Sequence, residues 1–277
     1  MLGLAGPNGA GKSTLISLLL GFLAPNGGTV RIDGLEPRRF IERRGIGYLS
    51  ELVNIPTAWR VTETLRRYGL LAGIAPPALT ARVEHAMHMM GLEEHRDKRV
   101  RQLSKGNLQR LGLAQALLSE EEIVVLDEPT HGLDPVWTQR FRDVVEALRR
   151  PDRLILIASH NLDELARLAD RVVIIDRGRL QRIVDMRTGE REAIDGAPYR
   201  LVLASGEEQV SRVFPGAVPI GPGEFELRGM SLEAINAGMA ALIGRGALVN
   251  AVHPLRSALE QQFRDAVAAP AAGAGDA

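Results

Sequence analysis

The chain has 277 residues, no cysteine, and 34 basic residues balanced by 34 acidic ones. The missing cysteine excludes disulfide scaffolds, cysteine-ligated zinc, iron–sulfur clusters and thiol catalysis. The zero net charge removes any bulk electrostatic case for nucleic acid or anionic lipid, and a hydrophobic share of 45% is that of a globular protein. Arginine carries nearly all the positive charge, because Lys12, Lys98 and Lys105 are the only lysines.

"MLGLA" (1–5) reads as a short apolar strand, and helical spacing follows from Lys12 to Phe22. "PNGG" (25–28) is a turn signal, "TVRIDG" (29–34) alternates like a strand, and "GIGYLS" (45–50) reads as another strand. The run "LISLLLGFLA" (15–24) is too short to span a bilayer. It continues directly from the glycine-rich loop, where a buried helix is expected, so it is not read as a signal peptide. Residues from about 61 to 118 are mostly helical in pattern, with "LSKGNLQRLGLAQALL" (103–118) an amphipathic helix behind Ser104. "IVVLDE" (123–128) is a continuous apolar run closed by two acids, the pattern of a buried parallel strand. Asp134-Pro135 opens a helix that runs to about Arg149. "RLILIASH" (153–160) is a second buried strand, followed by a helix (161–169) and the strand "RVVIIDRGRL" (171–180). Strands alternating with helices predict a parallel α/β sheet. The polar stretch 183–198 reads as a linker. A small α+β unit then follows over 199–267, with strands "YRLVLA", "EFELRG" and "ALVNAV" interleaved with helices. The tail 268–277 is low-complexity and expected to be disordered.

Four stretches carry chemistry. Gly6-x-x-x-x-Gly11-Lys12-Ser13 fits the phosphate-binding P-loop, and its strand and helix flanks make a chance glycine-rich turn a weak competitor. Its glycines let backbone N–H groups turn around an anion, and the helix behind adds its positive end. Lys12 is expected to reach the β- and γ-phosphates, and the Ser13 hydroxyl to ligate Mg²⁺. Asp127 is placed to hold Mg²⁺ through its water shell, and Glu128 to act as general base toward an attacking water. His160 ends another strand at the edge where open α/β sheets bind ligands, though an isolated histidine is more often structural. Ser104, Lys105 and Gly106 form a second anion-binding helix start, which makes most sense if it serves another molecule's nucleotide; ordinary capping by Ser104 is the plainer alternative.

Together these residues make the chain resemble the ATP-binding subunit of a bacterial ABC transporter, of the drug- and multidrug-export type. "GPNGAGKST" (6–14), including Asn8, Gly9, Ala10 and Thr14, matches the Walker A loop, and "IVVLDE" matches Walker B with Glu128 as catalytic glutamate. "LSKGN" resembles the LSGGQ signature, with Lys105 in place of its first glycine and Asn107 in place of its glutamine. "HGLD" (131–134), ending in Asp134, resembles the D-loop, and His160 the switch histidine. Glu51 stands where the Q-loop glutamine is usual. The resemblance implies a P-loop NTPase of α/β class: an ATPase domain over 1–182, a helical subdomain over about 52–105, and a C-terminal accessory domain.

The resemblance further implies ATP and Mg²⁺ as cofactors, with Ser13, Asp127 and Glu51 toward the metal. A head-to-tail homodimer or heterodimer is expected, with Ser104 and Gly106 acting in trans on the partner's nucleotide. A separate membrane permease would hold the chain on the inner face of the cell membrane; nucleic acid is not expected. Family members usually carry further strands before Walker A and an aromatic that stacks on adenine. Neither Tyr48 nor Trp59 is placed to replace that aromatic, so Met1 is expected to be an internal methionine of a longer protein. The competing expectations are a soluble ABC ATPase without a transport role and an N-terminally truncated relic with weak ATP binding.

Overall fold

The computed structural model describes residues 1–186, 198–255 and 258–268. It divides into two compact units, 1–180 and 181–277. β1 (Leu2–Ala5) lies inside a six-stranded sheet of order β2-β3-β4-β1-β5-β6. Its other strands are β2 (Gly47–Leu49), β3 (Ile123–Asp127), β4 (Leu154–Ala158), β5 (Arg171–Asp176) and β6 (Arg179–Asp185). The pairs β2–β3, β3–β4, β4–β1 and β1–β5 are all parallel. Apolar runs such as Val124–Leu126 and Ile155–Ala158 are buried, the pattern of inner parallel strands.

The helices are α1 (Lys12–Leu19), α2 (Pro37–Arg44), α3 (Val61–Leu71), α4 (Pro76–Met89), α5 (Lys105–Leu117), α6 (Pro135–Ala147) and α7 (Leu162–Leu168). α1 stops before the expected Phe22, because Gly21 turns left-handed (φ 67°) and ends the helix. The expected strand over 29–34 does not form. Asp33 and Gly34 take positive φ, and Ile32 and Leu35 exchange backbone hydrogen bonds across a tight turn of their own. α2 was not foreseen, although Pro37 at its first turn is a helix-start signal.

The expected strand 171–180 is broken into β5 and β6 by Arg177 and Gly178, both at positive φ. β6 then runs on through Asp185, so the linker expected from 183 does not begin there; most of that stretch, 187–197, lies outside the described residues. The helix expected to be amphipathic is buried nearly all round: Gln109 to Ala114, Ala116 and Leu117 of α5 are enclosed.

The second unit has a four-stranded sheet of order β10-β7-β9-β8, antiparallel throughout. Its strands are β7 (Tyr199–Ser205), β8 (Val218–Gly221), β9 (Glu224–Leu227) and β10 (Leu248–Pro254), with helices α8 (Val210–Val213), α9 (Leu232–Gly244) and α10 (Ala258–Ala268). Tyr199, Leu201, Leu203, Phe214, Leu227, Ile235 and Leu242 form its core. β8 was not foreseen, since Pro219 breaks its strand pattern. α10 extends into Ala268, and the expected tail 269–277 lies outside the described residues.

Candidate functional site: a phosphate cleft at the carboxyl edge of the sheet

Strand register assembles the site. β3 pairs with β4 so that Asp127 lies opposite Ala158, and β1 pairs with β4 so that Leu4 lies opposite Ala158. The three strands therefore end level, and the loops leaving them meet at one edge, where parallel sheets bind ligands. The Glu128 N–H donates to Ala158 O at 2.9 Å, and the Ser159 N–H donates to Leu4 O at 3.2 Å.

The loop from Gly6 to Thr14 leaves β1. Gly9 and Gly11 take positive φ (81° and 102°), which other residues adopt at a cost. Gly6 is required by space instead: a Cβ there would lie 2.6 Å from Ile175 O. Lys12 is 9% exposed. Its Nζ donates to Gly6 O at 2.7 Å and to Pro7 O at 3.3 Å, so the ammonium folds back over its own loop. The Ser13 hydroxyl donates to Asp127 Oδ2 at 3.5 Å.

A cleft of about 490 Å³ opens beside this loop. Asn8, Gly9, Ala10, Gly11, Lys12, Ser13 and Thr14 line one side; Glu51, Asp127, Glu128, His131 and His160 complete it. Burial, then the charges of Glu51 and Glu128, push the Asp127 carboxyl up to about 6, opposed by Lys12 and by Ser13. Three carboxylates thus share a cleft with one lysine. The Ser13 hydroxyl and the Asp127 carboxylate, with Glu51 lining the same cleft, offer the oxygen donors that suit a hard divalent cation such as Mg²⁺.

Glu128 is held from several directions. Its backbone is left-handed (φ 49°), a conformation that costs a non-glycine residue of order 1 kcal/mol or more. The Gln109 side-chain amide, buried on α5, donates to Glu128 O at 3.2 Å and Pro129 O at 3.0 Å. The carboxylate accepts from the His160 backbone N–H at 2.9 Å and approaches His160 Nδ1 at 2.8 Å and the Ser159 hydroxyl at 3.4 Å. Ser159, wholly buried, also accepts from the Asn161 N–H. The loop after Glu128 is braced where the Thr130 hydroxyl donates to buried Glu164 at 2.7 Å. Burial pushes that carboxyl up.

The expected residues do not all converge. Ser104 caps α5 by accepting from the Asn107 N–H, and Asp134 caps α6 by accepting from the Trp137 N–H. Ser104, Gly106 and Asp134 are not among the residues lining the cleft of their own chain. Asn107 faces inward, 2.8 Å from His95 Nε2. His131, Ser159 and Gln109 escaped the sequence reading. His131 heads the HGLD stretch and follows Glu128 by three residues, the signals that could have found it; Gln109 and Ser159 act through burial, which spacing does not reveal.

A family profile described as ABC transporter matches residues 1–131. The chain is 39% identical over 188 residues to an uncharacterized ABC transporter ATP-binding protein of Nostoc sp., covering 64% of this chain and 54% of that protein. It is 33% identical to the Nod factor export ATP-binding protein I of Mesorhizobium japonicum, covering 72% and 62%. An uncharacterized ABC transporter ATP-binding protein of Bacillus subtilis, YdbJ, is 30% identical across 97% of this chain and 87% of its own length. The chain thus spans 54% and 62% of the length of the first two of these relatives. Among solved structures, an ATP-binding subunit of an ABC transporter is similar with TM-score 0.64 and 27% identity, over 69% of this chain and 81% of that one. A dimeric ATP-binding cassette bound to ADP and Pi shares the fold with TM-score 0.62 at 21% identity, over 68% and 85%. With the loop, the paired acids and the histidine already assembled at one sheet edge, these likenesses show that the chain belongs to the ATP-binding proteins of ABC transporters.

Proposed function

We propose that the chain is an ATPase subunit that powers export of a substrate through a separate membrane permease. The observation that carries this reading is Glu128 gripped by His160 and Ser159 across the cleft from Lys12. A carboxylate held at the γ-phosphate end of a phosphate loop has one evident use, to take a proton from water. In the reaction, water attacks the γ-phosphorus of ATP and the bond to the β–γ bridging oxygen breaks, releasing ADP and phosphate. Glu128 accepts the proton of the attacking water, and His160 fixes the carboxylate and faces the γ-phosphate. Lys12 leaves its loop carbonyls for the β- and γ-phosphate oxygens, while the loop N–H groups of Gly9 to Ser13 cradle them. Mg²⁺, which Ser13 and Asp127 would hold with Glu51 nearby, would supply neutralisation of phosphate charge.

The dimeric cassettes that share this fold support an assembly in which Ser104 and Gly106 offer the start of α5 to a partner's nucleotide. The domains implied are an ATPase domain over 1–182, with its helical subdomain at about 52–105, and an accessory domain over 199–267. Among the described residues no helix is long and apolar enough to cross a membrane, so the permease would supply the membrane path and hold the subunit there. The relatives named for Nod factor export support export rather than import.

The test is phosphate release from Mg·ATP by purified protein. Glu128→Gln is expected to lower kcat by about 100-fold or more while ATP is still bound, and to accumulate an ATP-dependent dimer in light scattering. Equal hydrolysis by wild type and this variant would overturn the reading.

A further inference from the structure

Lys105 lies at the first residue of α5, where a side chain would be expected to face outward. Instead its stem crosses Gly132: a Cβ built on that glycine would meet Lys105 Cγ, Cδ and Cε at 3.2, 3.1 and 3.0 Å. Its Nζ ends 2.6 Å from His131 Nε2. Alongside, Gly106 comes so close to the same loop that its own Cβ would lie 3.1 Å from Gly132 O. His131 also lines the phosphate cleft, and its N–H donates to Glu128 O at 3.1 Å. The start of α5 and the loop following the catalytic glutamate therefore touch through a side-chain pair and a glycine–glycine approach, three residues from Glu128.

We infer that Lys105 and His131 form a latch that positions the Glu128 loop, with His131 as a positioning residue for hydrolysis in its own subunit; this rests on the ATPase reading above. An ammonium can only donate, so Nε2 accepts and the neutral ring carries its proton on Nδ1. The pair thereby fixes the tautomer and turns His131 so that its remaining donor is Nδ1–H, on the ring that walls the cleft. Both residues are exposed, and an exposed polar pair adds little to stability, so its consequence lies in position. Buried Gln109 sets the carbonyls of Glu128 and Pro129 from α5; the latch sets the loop one turn earlier along the same helix. A shift of the α5 start, such as engagement with another chain's nucleotide would produce, is then passed to Glu128 through Lys105 and Gly132.

Two measurements test this. In nucleotide-free protein with ¹⁵N-labelled histidine, long-range ¹H–¹⁵N spectra should show His131 as the Nδ1–H tautomer in wild type. In Lys105→Met the usual Nε2–H form should grow. This reads the latch without any hydrolysis, so it stands apart from failure of the ATPase reading. In steady-state hydrolysis, Lys105→Met, His131→Ala and the double variant should each lower kcat by about the same three- to ten-fold factor, non-additively as contacting residues behave. The KM for Mg·ATP should stay within about two-fold, and Lys105→Arg should restore most of kcat. An Nε2–H tautomer already in wild type would overturn the latch. So would additive losses, or a Lys105→Met effect confined to KM, which would assign Lys105 to nucleotide contact instead.

Discussion

Asp127 is where the proposed metal-holding role and stability oppose each other at the scale of one residue. It is 4% exposed, and burial, Glu51 and Glu128 raise its carboxyl to about 6. An unfolded aspartate titrates near about 3.9. The folded state therefore holds its proton more tightly, and the corresponding stability is fully present below about pH 4 and lost as pH rises through about 6. Above that, the ionised carboxylate costs the nucleotide-free fold about 1–3 kcal/mol. Asp127→Asn is thus expected to raise the melting temperature of nucleotide-free protein at pH 8 and to leave it nearly unchanged at pH 4, while hydrolysis of Mg·ATP is abolished. Scanning calorimetry at the two pH values checks the sign; destabilisation at pH 8 would show that the carboxylate is instead satisfied by the protein without nucleotide or metal. Glu51→Gln should give a smaller rise by the same route, because the second-largest of the effects raising Asp127 is the Glu51 charge.

At the scale of elements, the seat of β2 on α5 decides whether Glu51 reaches the cleft. A Cβ on Gly47 would lie 2.2 Å from Ala116 O, backbone against backbone, with no side chain free to move aside. Gly47→Ala must push β2 off α5, at a cost of about 2–4 kcal/mol, and it should raise the KM for Mg·ATP by displacing the segment that carries Glu51. Denaturant unfolding and steady-state kinetics on one variant test both halves. The same element shows what could be read beforehand. The strands β1, β3 and β4 and the loops behind them were legible, because buried parallel strands are continuous apolar runs and phosphate loops need fixed glycines. α5 was legible as a helix but not in its burial, since nothing in the pattern of Gln109 and Arg110 announces that both are enclosed. The stretch 29–34 alternated as a strand should, yet among the described residues it has no partner strand, and Asp33-Gly34 folds it on itself. Alternation reports a face, whereas a strand also needs a neighbour.

At the scale of the whole molecule, two hydrophobic cores predict two melting events. The core of the second unit draws only on residues from Tyr199 onward, while the cluster around Leu4, Ile16, Val125 and Leu156 lies wholly within the first. Phe214 is 2% exposed and presses on α9 so closely that a Cβ on Gly238 would come within 2.2 Å of its ring. Phe214→Ala leaves a cavity costing about 3–5 kcal/mol. In a unit of this size that lowers the melting temperature by more than about 10 °C. The phosphate cleft is built entirely from the first unit. Ligand that binds only the folded cleft stabilises that unit by mass action. In calorimetry of Glu128→Gln with saturating Mg·ATP, the transition that rises with nucleotide should therefore be the one that Phe214→Ala leaves in place. The transition that Phe214→Ala lowers should ignore nucleotide. A single transition moved by both would mean that the two cores melt as one cooperative body, and that the second unit contributes to holding the first together.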